Sequence, residues 1–372
     1  MNILITGADG FIGKNLQAHL AERNDLAVRC FTRAEDAALL SELVCDVDFV
    51  FHLAGVNRPQ DPQEFKVGNT DLTRSLCDAI KRSGRPVPVL YTSSSQAELP
   101  NPYGSSKRGA EALLLELAAS HAVPVFLFRL PNVFGKWARP NYNSAVATFC
   151  HNIARDLPIQ VNDPQALINL VYVDDVISCF MALMDGQVSV GPFVNVVPQY
   201  SITVDELAEQ LHAFRDSRQT LVTEAVGTGL ARALYSTYLS YLPPQRFSYE
   251  LPKYSDSRGV FVEMLKTKDS GQFSYFTAHP GITRGGHYHH SKTEKFLVIK
   301  GKACFRFRHI ISGEFYELFT DGEQPEIVET VPGWSHDITN VGDDEMIVML
   351  WANEIFDREH PDTFTRPVGT EA

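Results

Sequence analysis

Short apolar runs alternate with amphipathic stretches through the first two thirds of the chain. Asn2–Thr6 reads as an apolar strand, and Phe11–Arg23 as a helix with Ile12, Leu16 and Leu20 on one side. Val28–Phe31, Phe49–Leu53, Val87–Thr92 and Val125–Leu130 are further strand-like runs. Helical stretches near Asp71–Arg82, Gly104–Ser120, Asn143–Arg155, Asp174–Met184 and Val204–Arg215 separate or follow them. This alternation predicts a parallel sheet covered on both faces, a doubly wound α/β arrangement of Rossmann type.

The pattern changes beyond Ser240. Leu242-Pro243-Pro244 ends the helical region. Gly259–Lys266, Phe273–Ala278, Phe296–Ile299, Ala303–Ile310, Phe315–Phe319, Ile327–Val331 and Met346–Trp351 then read as strands between turns. Many short strands predict an all-β sandwich or barrel. The reading therefore divides the chain into residues 1–243 and 247–372.

A chain of 372 residues is long enough for two cores, since single cores rarely exceed about 250–300 residues. The formal charge of -12 argues against a nucleic-acid partner and leaves any phosphate site to local cations or helix N-termini. No apolar run reaches the length of a membrane span, and the N-terminus shows no signal-peptide pattern. Six scattered cysteines suit reduced thiols, so a cytoplasmic protein is expected.

The first strand runs into Gly7-Ala8-Asp9-Gly10-Phe11-Ile12-Gly13, which opens the first helix. Gly7 permits the tight turn, Gly10 lets backbone approach a pyrophosphate, and Gly13 lets helix and strand pack closely. A dinucleotide bound here rests on the helix N-terminus. An acid at the end of the second strand would take the ribose 2′-hydroxyl of NAD, but Thr32 stands there with Arg33 beside it. A cation suits the 2′-phosphate, so NADPH is the expected cofactor.

Tyr103 and Lys107 begin a helix at i, i+4 spacing, which puts them on one face. A nearby ammonium favours phenolate and is expected to bring the tyrosine pKa down. The serine run Ser93-Ser94-Ser95 ends the strand before them. With TGADGFIG, FHLAG at 51–55, Asn69, RLPNVFG at 129–135 and VYVDDV at 171–176, these residues resemble the extended short-chain dehydrogenase/reductase family. The resemblance implies Tyr103 as the catalytic acid and Lys107 as its assistant on the nicotinamide ribose. It implies Ser94, with Ser95 a near competitor, as the hydroxyl on the substrate oxygen. It also sets His52, Leu53, Ala54 and Gly55 along the cofactor cleft with Asn69, and turns Asn132 toward a sugar nucleotide. Dehydratases of that family carry an Asp-Glu pair where this chain has Ser95-Gln96, so simple reduction is what remains.

In the second region, Gly281, His287, His289, Glu294 and Gly301 have the spacing of a first cupin motif. Gly333, His336 and Asn340 give most of the second, with Pro332-Gly333 where Pro-x-Gly is usual. His287 and His289 lie two apart, so along a strand they share a face; Glu294 and His336 are expected from adjacent strands. Three imidazoles and a carboxylate suit Zn, Mn, Fe or Ni. His290 alternates to the other face. The segments around Arg258 and Arg284 resemble cupin-like deoxysugar 3,5-epimerases, which implies the two arginines as a diphosphate clamp.

As a whole the chain, through FHLAGVNRP at 51–59, HYHHSKTEKFLVIKGKA at 287–303 and IFDREHPDTF at 355–364, resembles the bifunctional capsule and O-antigen enzymes that make UDP-N-acetyl-L-fucosamine precursors. The resemblance implies a jelly-roll cupin that epimerises carbon 3 of a UDP-4-keto-6-deoxy-hexosamine, and a reductase that yields the UDP-6-deoxy-L-talosamine derivative. It implies zinc and NADPH. Tyr288, His290 and Lys292 are the cupin's candidate bases. A homodimer is expected because both parent folds usually pair. Two rival readings are a reductase whose cupin only binds or dimerises, and a sugar-nucleotide sensor without catalysis.

Overall fold

The computed structural model describes residues 1–186, 191–252, 254–256, 259–261, 264–267, 271–354 and 359–369. It forms two compact units, Met1–Ser144 with Ile168–Ser201, and Ala145–Leu167 with Ile202–Ala372.

In the first unit, β1 (Asn2–Thr6) is followed by α1 (Phe11–Leu20), β2 (Ala27–Phe31), β3 (Phe49–His52), α2 (Leu72–Ser83), β4 (Val89–Ser94), α3 (Pro102–His121) and β5 (Val125–Leu130). The strands form one parallel sheet in the order β2-β1-β3-β4-β5. Ile3, Leu4 and Ile5 of β1 are fully buried, as a strand with both faces covered requires. Leu4, Val50, Leu76, Ile80, Leu114 and Leu127 share one core beneath α2 and α3. The order reverses between β1 and β3, and in open α/β sheets ligands bind at the carboxyl ends of strands beside that point.

The start of α3 is fixed locally. Asn101 accepts the Gly104 N–H at 2.7 Å, and Pro102 occupies the first turn. An N-cap acceptor and a first-turn proline both favour initiation there, so Tyr103 sits at the head of the helix. Asn132–Phe134 pairs in parallel with the strand Leu167–Tyr172 through Asn132↔Leu170.

The second unit contains the helix Ala145–Ile153, α4 (Val204–Thr220) and α5 (Gly229–Ser240). A capping box between Thr203 and Glu206 opens α4. From Ser248 onward every described element is a strand: β6 (Ser248–Glu250), β7 (Gln272–Ala278), β8 (Thr283–Tyr288), β9 (Glu294–Lys300), β10 (Lys302–His309), β11 (Phe315–Asp321), β12 (Glu326–Glu329), β13 (Trp334–Asn340), β14 (Met346–Ala352) and β15 (Phe364–Thr365), besides three strands of two or three residues outside these sheets. Two five-stranded antiparallel sheets result, β6-β12-β9-β14-β7 and β11-β10-β13-β8-β15. This is the jelly-roll layout of a cupin.

The helices α4 and α5 pack in the same compact unit as the strands. A buried ionic group joins them: Glu329 of β12 receives both Arg218 of α4 and Lys295 of β9, and Lys295 also donates to the Tyr249 hydroxyl at 3.0 Å. Charges removed from water are tolerated when paired, and a lone buried partner would be costly.

Candidate active site and metal centre

The glycine turn has the shape a dinucleotide needs. Gly7 has φ +72°, and a Cβ on it would lie 2.6 Å from the backbone of Ala54. A Cβ on Gly13 would lie 2.5 Å from the Gly7 carbonyl, so α1 can lie this close only without a side chain there. Gly10 caps α1 with no side-chain hydrogen bond, leaving first-turn amides to a ligand. These observations fit a bound pyrophosphate. Asp9 and Gly10 are exposed and Phe11 and Ile12 partly so, at the mouth of the turn.

At the end of β2, Glu35 accepts both the backbone N–H and the hydroxyl of Thr32 at 2.6 Å each. These two bonds lower its carboxyl pKa, the side-chain bond most. An acid therefore does stand near the ribose position, three residues beyond the place read in the sequence, but it is committed to Thr32. Arg33 is exposed.

Leu53, Ala54 and Gly55 are partly exposed along the cleft, whereas His52 is 1% exposed and does not line it. Its ring sits between Thr6 Oγ1 at 2.7 Å and Thr73 Oγ1 at 2.8 Å. Thr73 donates its only hydroxyl proton to the Asn69 carbonyl, so it accepts from His52 Nε2–H. Nδ1 is then the acceptor for Thr6. Burial, with the Lys107 charge nearby, brings His52 down to about 3 and keeps it neutral. Asn69 lies in a π-helical segment, Lys66–Asp71, and is buried. Its side chain bonds Val56 N at 2.8 Å and Ser106 Oγ at 2.8 Å, pinning the cleft wall. Neither the π turn nor the Thr6–His52–Thr73 relay was read from the sequence.

Ser93 is buried and donates to Glu111 at 2.5 Å, while Ser94 emerges at the end of β4, where its hydroxyl is near enough to the Tyr103 phenol to act on its pKa. The structure therefore brings Ser94, not Ser95, to Tyr103. Lys107 is buried one turn below, donating to the Thr92 carbonyl at 2.9 Å. Burial brings Lys107 down to about 8, with Glu111 acting the other way. Burial also pushes the Tyr103 phenol above its ordinary range, against the Ser94 hydroxyl. The expected lowering of the tyrosine is not found: desolvation of the phenolate dominates, and the Lys107 ammonium is turned to the Thr92 carbonyl. Asn132 is exposed and donates to the Asn169 carbonyl at 3.1 Å.

In the strand sandwich, His287, His289, Glu294 and His336 each offer a ligand atom, all within 4.8 Å of one another. His287 of β8 and His336 of β13 are cross-strand partners, their rings 4.8 Å apart. Glu294 opens β9 in the facing sheet, so it does not come from a strand adjacent to His336's; the site is closed across the sandwich. Glu294 Oε2 faces His289 Nε2 at 3.1 Å and His336 Nε2 at 3.6 Å, and Oε1 meets Lys292 Nζ at 2.7 Å. Burial opposes ionising Glu294, yet His289, His336 and Lys292 hold its carboxyl well below the ordinary range. Burial brings His287 down to about 3, assisted by the neighbouring histidines, so its lone pair is available. His336 Nε2 is buried without a hydrogen-bond partner. Neutral imidazoles, an ionised carboxylate and an orphaned buried nitrogen are what a divalent cation takes up, so the residues fit a metal.

A cavity of about 200 Å³ adjoins this centre, walled by Phe276, Phe296, Phe305 and Phe307. Arg284 is exposed at its edge, 5.0 Å over the Phe276 ring. Arg258 lies outside the described residues. Tyr288, His290 and Lys292 do not line the cavity; His290 is buried with its ring 5.0 Å from Phe364.

A profile of the NAD dependent epimerase/dehydratase family matches residues 3–196, and one of the Polysaccharide biosynthesis C-terminal domain matches residues 254–364. The chain is 64% identical, over 100% of both chains, to a UDP-2-acetamido-2,6-beta-L-arabino-hexul-4-ose reductase of Pseudomonas aeruginosa. It is 28% identical to a GDP-6-deoxy-D-mannose reductase of the same species, over 56% of this chain and 78% of that one. Among solved structures, the capsular polysaccharide assembling protein CapF of Staphylococcus aureus superposes with a TM-score of 0.69 at 42% identity, covering 99% of this chain and 100% of that one.

Proposed function

The chain belongs to the NAD dependent epimerase/dehydratase family, and from that premise we propose that it is a bifunctional sugar-nucleotide enzyme of capsule or O-antigen synthesis. Its cupin, residues 247–372, epimerises carbon 3 of a UDP-2-acetamido-2,6-dideoxy-4-ketohexose. Its reductase domain, residues 1–243, then reduces the 4-keto group to the UDP-6-deoxy-L-talosamine derivative.

The observation that carries this reading is the Ser94–Tyr103 hydroxyl pair above a buried Lys107. The substrate's 4-keto oxygen is bound by both hydroxyls. Tyr103, kept protonated by burial, gives its proton to that oxygen. Bound NADPH supplies the hydride to carbon 4. The Lys107 cation is positioned to stabilise the phenolate left on Tyr103, and the phenol recovers its proton from solvent. Arg33 takes the 2′-phosphate of the cofactor, and Asn132 faces the sugar nucleotide.

In the cupin, His287, His289, Glu294 and His336 would hold a divalent cation, read as zinc, whose positive charge would stabilise the enediolate formed when carbon 3 gives its proton to a base, carbon 3 then taking a solvent-derived proton on the opposite face. The phenylalanine walls exclude bulk water, and Arg284 with Arg258 attracts the diphosphate. The six cysteines are unpaired, and no described helix is long and apolar enough to cross a membrane. Both facts support the reading of a cytoplasmic enzyme, which we take to be a homodimer.

A UDP-4-keto-6-deoxy-hexosamine should oxidise NADPH in the presence of the wild-type chain and ~100-fold or more slowly with Tyr103→Phe; oxidation at the wild-type rate in the variant refutes the assignment. A second reading, in which the cupin only binds or dimerises, is favoured by the absence of Tyr288, His290 and Lys292 from the cavity wall. Full-length, metal-loaded Tyr103→Phe separates the two. Solvent deuterium entering carbon 3 supports epimerisation, and no entry supports the second reading.

A further inference from the structure

Three of the four clustered residues lie between His287 and Glu294, on the end of β8 and the loop into β9. That loop is held by a residue far along the chain. The Asp362 carboxylate accepts the His290 N–H at 2.8 Å on one oxygen. Its other oxygen accepts the N–H groups of Ser291 and Lys292, both at 2.7 Å, and the Ser291 hydroxyl at 3.0 Å. The backbone carbonyl of the same residue pairs with His289 Nδ1.

A carbonyl oxygen only accepts, so Nδ1 of His289 carries the hydrogen. In the neutral ring Nε2 then carries a lone pair, and Nε2 is the atom that faces Glu294 Oε2 at 3.1 Å. A lone pair and a carboxylate oxygen at that distance repel unless a proton or a cation lies between them. One residue thus sets both the tautomer of a ligand and the path of the loop that carries Glu294. Asp362 is itself fixed from its C-terminal side. Phe364–Thr365 pairs with His287 and Tyr288, and Arg366 N–H donates to the Gly286 carbonyl at 2.8 Å.

We propose that Asp362 is a positioning residue of the metal centre, which clamps the His289–Lys292 loop and aims His289 Nε2 at the cation. The proposal rests on reading the four residues as a metal site. It extends that site to the C-terminal segment, so that metal affinity depends on a side chain that touches no metal.

The test uses the full-length chain, stripped by a chelator and titrated with Co2+ and then Zn2+ against a chromophoric competitor. Asp362→Ala should weaken both metals by ~10–100-fold, the range found when partners that orient ligands are lost. The cobalt d–d bands should shift in position and intensity, because without the carboxylate the His289–Lys292 loop is no longer held against the main-chain carbonyl that faces His289 Nδ1. Asp362→Asn keeps the acceptor oxygen without the charge and should fall between; it decides the matter if the alanine variant does not fold. A loop-stapling role alone would lower the unfolding midpoint and leave the cobalt spectrum of the folded protein unchanged. Wild-type affinity and spectrum in both variants overturn the proposal while leaving the metal site standing. Failure of the wild-type chain to bind Co2+ overturns the metal reading and this inference with it.

Discussion

The Lys107 ammonium nitrogen stands 6.0 Å from the centre of the Tyr103 ring and gives a hydrogen bond to the Thr92 carbonyl at 2.9 Å. The ammonium of this i, i+4 pair is thus turned to a carbonyl and not to the phenol oxygen. Burial holds both groups toward their neutral forms, the lysine down to about 8 and the phenol above its ordinary range. The pair is poised for a reaction in which the phenol must begin protonated.

The buried lysine makes stability depend on pH with a definite sign. Between about 8 and the ordinary lysine value of 10.5, the unfolded chain binds a proton that the folded chain does not. Stability then rises with pH across that window by the Lys107 contribution. Lys107→Met lacks this increment. Denaturant unfolding without cofactor should show wild type gaining on the variant by up to about 3 kcal/mol between pH 8 and 10.5. A constant difference across that range contradicts the placement of the charge.

Tyr103→Phe removes the proposed proton donor and keeps the ring. Reduction should fall by ~100-fold or more, the usual worth of a positioned acid, with NADPH binding by fluorescence titration unchanged. Ser94→Ala should also reduce kcat. Ser95→Ala should leave it near wild type, because Ser94 is the serine that acts on the Tyr103 phenol.

Arg33 is exposed, and Glu35 is tied to Thr32. Arg33→Ala should raise KM for NADPH by about tenfold, equal to a charge-assisted hydrogen bond of about 1.5 kcal/mol, and leave KM for NADH unchanged. An equal effect on both cofactors would place Arg33 away from the 2′-phosphate.

Of the four residues proposed to hold the metal, His336 has a buried Nε2 that makes no hydrogen bond. His336→Ala should lose its metal on dialysis, measured by atomic emission, while NADPH titration remains as in wild type. Loss of both together would mean that the two sites do not stand independently.

What the sequence made legible was what is local. The glycine turn is forced by contacts within and just beside it, such as the 2.6 Å from a Gly7 Cβ to Ala54. Tyr103 and Lys107 share a helix whose start is fixed by Asn101 and Pro102. Strands β8 and β13 escaped the apolar pattern because their residues serve the site: Thr283-Arg-Gly-Gly-His-Tyr288 contains no hydrophobic run. Helix α5 was also missed, since its Gly, Ser and Thr residues are weak helix formers. The choice between Ser94 and Ser95 needed the folded placement of Ser94 beside Tyr103. The facing of Glu294 across the sandwich and the reach of Asp362 back to residues 289–292 are products of tertiary closure, which no spacing encodes.

The central claim is that one chain both epimerises carbon 3 and reduces carbon 4. It is tested most directly by NMR of the product formed from a UDP-2-acetamido-2,6-dideoxy-4-ketohexose, NADPH and the metal-loaded chain in D2O. The account predicts a 6-deoxy-L-talosamine derivative with deuterium at carbon 3 and protium at carbon 4. A reduced sugar that keeps its original configuration and protium at carbon 3 would contradict it.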